Sequence, residues 1–83
     1  MIKLKPNKTT GKQAYKIVMK AVERASKRDK VILSKADFCR DSGLSRTQLH
    51  RYKGGELPGP VGLLKIASGL IAWGFEAEVI INA

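Results

Sequence analysis

The sequence predicts a small, mainly helical domain of four to five helices with a short β-strand near each end. Three observations carry that expectation. Ser34 and Ser45 stand in N-cap positions immediately ahead of short segments that bury apolar residues at helical spacing. A longer segment from Thr10 to about Lys27 repeats apolar residues every three or four positions. The ends instead alternate apolar with polar residues, at Ile2–Lys5 and at Phe75–Asn82. With 83 residues the chain has room for one domain and one modest core, so 1–83 is read as a single unit.

The elements follow in order. Residues 1–33 hold the first strand and a basic first helix. Ile2 and Leu4 alternate with Lys3 and Lys5 before Pro6, and Asn7–Gly11 is turn-like. Thr9 or Thr10 then caps a helix whose inner stripe is Tyr15, Val18, Val22 and Ala25, widened by Ala14, Ile17 and Ala21. Lys12, Lys16, Lys20, Arg24 and Lys27 fall on its other side. In the connection that follows, Val31, Ile32 and Leu33 are expected to tuck into the core. Residues 34–53 hold two short helices. Ser34 caps the first, with Asp37 completing a variant capping box, and Gly43 ends it in a backbone of positive φ. Ser45 caps the second, with Gln48 at N3, and Gly54-Gly55 stops it. Pro60 suits the first turn of a helix spanning 60–72, Gly74 breaks that helix, and 75–82 is the C-terminal strand.

Composition narrows the function. Cys39 is the only cysteine and His50 the only histidine, so no disulfide closes within the chain and no Cys-based zinc cluster forms. The seven acidic residues are scattered. No catalytic residue, metal site or cofactor is expected, and Cys39 is read as a small core residue. No apolar run is long enough to span a membrane and no secretory leader is visible, so a cytoplasmic location is expected. The net charge of +9 is uneven. Residues 1–30 carry ten basic and two acidic side chains, residues 31–53 five and two, and residues 54–83 one and three. Such a balance favours a polyanionic partner, usually nucleic acid and less often an anionic membrane.

The segment Lys35–Lys53 concentrates the functional signal. Its first helix offers a large buried residue, Phe38, beside a small one, Cys39. Its turn offers Gly43 and the apolar plug Leu44. Its second helix buries Leu49 and Tyr52 and leaves Arg46, Thr47, His50, Arg51 and Lys53 free. On these residues, Ser34–Leu70 resembles the lambda-repressor/Cro-like family of helix-turn-helix proteins. Ser34-Lys35 stands where that family often has Thr-Gln, and Gly43-Leu44-Ser45 where it has Gly-Val-Ser. Residues Leu63–Leu70 are similar to its fourth helix. Tyr52 is bulkier than the usual aliphatic residue, and Cys39 replaces the usual alanine.

The resemblance implies a lambda-repressor-like DNA-binding domain whose second motif helix enters the major groove. It implies base contacts by Arg46, Thr47, His50 and Arg51, and phosphate contacts by Lys35, with Ser45, Gln48 and Lys53 as further phosphate candidates. The expected function is a sequence-specific, double-stranded DNA-binding transcriptional regulator, a repressor of the phage or mobile-element type acting by operator occupancy. Two alternatives stay open: an antitoxin or inhibitor that uses the fold mainly to bind another protein, and RNA binding through the basic first helix. A palindromic operator implies a homodimer, expected through the C-terminal strand with Phe75, Val79, Ile80 and Ile81 at the interface and Trp73 beside them. Ile80 lies on the strand face opposite Ala77, Val79 and Ile81. The competing expectation is that Met1–Lys5 covers this strand within one chain.

Overall fold

Capping side chains set the start of three of the four helices in the computed structural model, which describes Met1–Ile81. Strand β1 (Ile2–Leu4) leads into helix α1 (Gly11–Asp29). Thr10 Oγ1 accepts the Gln13 N–H at 3.1 Å, and Gln13 Oε1 accepts the Thr10 N–H at 2.8 Å, closing a capping box. Thr9 does a different job: buried, it accepts the Lys5 N–H on its hydroxyl at 2.8 Å and closes the turn before the helix. Helix α2 (Lys35–Ser42) starts at Ser34 with the expected box to Asp37 and ends at Gly43, whose φ is 78°. Helix α3 (Arg46–Lys53) starts at Ser45, whose hydroxyl accepts the Gln48 N–H at 3.0 Å. Helix α4 (Pro60–Ala72) has no side-chain cap, but proline at its first position loses only an N–H that would have lacked a partner.

The two strands form a parallel pair, with Ile2 opposite Ala77 and Leu4 opposite Val79; β2 spans Ala77–Val79. Parallel strands need a crossover, and here all four helices supply it. The C-terminal strand is shorter than the alternation over 75–82 predicts. Phe75 donates its N–H to the Leu70 carbonyl at 2.9 Å and Gly74 donates to Ile71 at 3.0 Å, so both close the end of α4. At the other end, the Ile80 N–H bonds the Leu4 carbonyl at 2.8 Å, and Pro6 follows close behind in β1's chain. Asn82 lies outside the described residues.

The core gathers Leu4, Val18, Phe38, Leu44, Leu49, Tyr52, Leu63, Ile66 and Leu70 between the helices and β1. Cys39 is buried among them as a small residue. Val31 and Ile32 depart from expectation. They stand 50% and 99% exposed, and of the three only Leu33 packs against the core. Lys30 adopts a left-handed conformation at the end of α1 (φ 55°) and swings the chain outward. Leu33 is drawn back because its N–H bonds the Ser26 hydroxyl at 3.1 Å.

Helix α4 approaches its neighbours closely at two glycines. A Cβ at Gly69 would sit 2.8 Å from Phe38 Cζ, and one at Gly62 would overlap the Tyr52 hydroxyl. The Phe38 ring also packs on Trp73, edge to face at 5.2 Å between centroids. Trp73 is in turn tied down by its indole N–H, which donates to Asp41 at 2.8 Å. Among the described residues, no helix is long and apolar enough to cross a membrane.

Gly69→Ala is therefore expected to destabilise the protein by about 1–3 kcal/mol, because overpacking against the pinned Phe38 ring outweighs the helix propensity gained. Urea unfolding measures it; a variant as stable as wild type would show that the α2–α4 contact is loose.

Candidate nucleic-acid interface

Helix α3 is short, and its orientation follows from two buried anchors. Leu49 and Tyr52 lie three apart on one face, both at most 2% exposed. Arg46, Thr47, His50, Arg51 and Lys53 are left exposed, while Gln48 is half-buried. The turn before it packs Leu44 into the core, and the Leu44 N–H finds the Ser42 hydroxyl at 3.2 Å. Each candidate base-contact residue therefore sits on one solvent-facing surface.

The structure brings the candidate phosphate residues Lys35 and Lys53 together across helices. Both ammonium groups lie over the Tyr15 ring of α1, at 6.0 and 5.6 Å from its centroid. Tyr15 was read only as part of the α1 inner stripe; it is half-buried and its ring serves as the shelf on which two cations rest. Lys35 and Arg46 both lie near enough to Cys39 for their charges to favour its thiolate, but burial prevails and pushes the thiol up from its ordinary range. Cys39 is thus a buried core thiol.

Several carboxylates of α1 and α2 are engaged by neighbouring cations. Arg40 pairs with Asp37 at 3.1 Å and with Asp41 at 3.2 Å, Arg28 with Asp29 at 2.9 Å, and Lys27 with Glu23 at 3.4 Å. Among the described residues, Lys35, Arg46, Arg51 and Lys53 form no ion pair. Asp41 is held below the usual carboxylate range, first by the Trp73 indole N–H and then by Arg40.

The two helix starts differ. At α2, Asp37 occupies the end of the helix: its carboxylate accepts the Ser34 N–H at 2.8 Å. This local negative charge offsets the helix dipole, so what the start of α2 could offer an anion is the side-chain charge of Lys35. At α3 no acidic residue lies in the first turn, and Ser45 caps without a reciprocal bond from Gln48. Ser45 is thus engaged as a cap, and its O–H proton remains available for donation.

The candidate interface residues of the C-terminal strand are dispersed. Phe75 lies under the guanidinium groups of Arg24 and Arg28, 5.5 and 5.4 Å from its ring centre. Ile80 is half-buried and lines a small hollow with Lys5, Pro6 and Lys8. Val79 is half-buried against α4, and Ile81 is exposed. One edge of β2 is taken by β1 of the same chain, and the two-stranded sheet has no further strand on the other. The exposed apolar side chains that sequence reading did not single out are Leu57, Val61, Leu64 and Ile71, the last three on one stripe of α4.

No protein family, curated protein or solved structure matches this chain.

Ser34→Ala is expected to lower stability by about 1 kcal/mol through loss of the α2 cap. Asp37, held below its ordinary pKa by the Ser34 N–H and hydroxyl, contributes stability at pH values above the ordinary carboxylate range. That contribution disappears as pH falls through the depressed folded value. Urea melts of wild type and Asp37→Asn between pH 7 and pH 2 check the sign: the stability gap should narrow on acidification, and a constant gap would disprove the coupling.

Proposed function

We propose that the chain is a sequence-specific double-stranded DNA-binding regulator with a lambda-repressor-like fold, in which α2 and α3 form a helix-turn-helix and α3 lies in the major groove. The observation that carries this reading is the surface of α3. Arg46, Thr47, His50 and Arg51 are exposed on a helix anchored by Leu49 and Tyr52, with Lys35 and Lys53 at its margin and, among the described residues, no carboxylate paired to Lys35, Arg46, Arg51 or Lys53. A helix carrying arginine and threonine can address base edges: guanidinium to guanine O6 and N7, the threonine methyl to thymine. Lys35 and Lys53 suit phosphates, with Ser45 and Gln48 beside them at the start of α3. Regulation would be by occupancy of an operator, as in a phage or mobile-element repressor working in the cytoplasm.

One such helix reads only a few base pairs, which argues for a homodimer on a palindromic site with half-sites about 34 Å apart. The groove between α4 and β2, with Leu64, Ile71 and Val79 on its walls, is the apolar surface on which we place the two-fold contact. The same surface favours the second reading, an antitoxin or inhibitor bound to another protein. Ile80 is a poorer probe of assembly than Ile71, which is 58% exposed.

Two measurements test the proposal. Arg46→Ala is expected to lose about 1–3 kcal/mol of affinity for the selected operator and to relax base choice there, while Lys35→Ala weakens all duplexes alike and shallows the salt slope by about one. Both binding every duplex like wild type would sink the α3 reading. Sedimentation should show wild type dimeric on its operator and Ile71→Lys monomeric; a wild type that stays monomeric on DNA leaves the α4 surface to a protein partner.

A further inference from the structure

A second concentration of positive charge lies on the other flank of α1. Lys3 from β1, Lys5 just after it, Lys8 from the following turn and Lys16 from α1 surround an open groove of about 490 Å³, with Gln13 and Ile17 on its helical wall. The lining contains no carboxylate. Among the described residues none of the four lysines forms an ion pair, and Glu78, opposite Lys3 in the strand register, is not bonded to it. Four lysines from separate parts of the chain thus line one groove whose walls carry no carboxylate, a local excess of positive charge that an anion would relieve.

The segment that presents these lysines is held in place. The Lys5 carbonyl accepts N–H groups from Lys8 at 3.1 Å and Thr9 at 2.8 Å, and the Lys5 N–H returns a bond to the Thr9 hydroxyl. Asn7 between them is left-handed (φ 65°), a conformation asparagine tolerates better than most residues. Lys5 and Lys8 therefore stand on a short clamped turn rather than on a loose arm.

We propose that this groove is a second phosphate-binding site, one that takes the sugar–phosphate backbone of nucleic acid independently of α3. Lysine ammonium groups serve phosphates as point charges, without the fork that arginine offers to a base edge. The groove is lined by no aromatic side chain on which a base could stack. Lys20 stands one turn beyond Lys16 on α1 and extends the positive strip, which suits an extended polyanion more than one small ion. Residues two apart on a helix point about 200° apart, so Tyr15, which faces Lys35 and Lys53, and Ile17, which walls the groove, look to opposite flanks of α1. A backbone held here leaves the α3 surface free.

The test compares wild type, the groove variant Lys3→Gln/Lys5→Gln/Lys8→Gln, and a control of equal charge loss, Lys27→Gln/Lys30→Gln/Lys65→Gln. Each is titrated with inorganic tripolyphosphate and with a random 30-base-pair duplex over a range of salt. The groove variant should bind tripolyphosphate at least tenfold more weakly, and its duplex salt slope should fall by about two to three, whereas the control should stay close to wild type. A control that loses as much as the groove variant, or a groove variant that loses nothing, overturns the site. Loss of tripolyphosphate binding with duplex binding unchanged overturns the nucleic-acid assignment in favour of a free phosphate compound. The double variant Arg46→Ala/Arg51→Ala, measured alongside, separates the readings: unchanged operator binding there defeats the α3 proposal and leaves the groove standing.

Discussion

The close seating of α4 against α2 and α3 governs the rest of the molecule. Gly69 lets α4 meet the Phe38 ring and Ser42 directly, and Gly62 admits the full length of Tyr52. Dense packing of this kind transmits position, because neither side has slack to absorb a shift. Tyr52 is one of the two anchors of α3, so the direction in which α3 presents Arg46, Thr47 and His50 is set by a glycine ten residues further along the chain. The bulk of Tyr52 is matched by the missing side chain at Gly62 opposite.

Electrostatics divides the surface in a way that packing alone would not. Four of the seven carboxylates are engaged with neighbouring cations on α1 and α2, and Asp41 also fastens the Trp73 indole. The cations of α3, of the Tyr15 shelf and of the β1 groove are left without such partners. Exposed pairs of this sort add little to stability, so their main effect is to direct the field of the protein. On the nucleic-acid reading proposed above, binding depends steeply on salt.

Much of the fold was legible because its signals are local. A capping residue needs only the three residues that follow it: Ser34 and Ser45 cap as their spacing predicts, and of the two candidates Thr9 and Thr10 it is Thr10 that caps α1. Leu49 and Tyr52 face the core because their own helix requires a buried side. Where a residue's fate depended on what lay beyond its segment, sequence reading failed. Val31 and Ile32 are apolar and flank a buried helix, yet the left-handed turn at Lys30 sends them into solvent. Phe75 alternates like a strand residue, yet its N–H closes the end of α4 and its ring lies beneath two arginines of α1.

The sequence by itself determined the order and type of the elements, the charge gradient along the chain and the identity of the exposed residues of α3, since propensity, capping and periodicity act within a few residues. Only the tertiary structure decided which cations share a surface. Lys35 and Lys53 meet over Tyr15, and Lys3, Lys5, Lys8 and Lys16 surround one groove, because separate helices and a parallel strand pair bring them there. Coulomb interactions act through space rather than along the chain, and no local pattern encodes the distance between side chains carried by different elements.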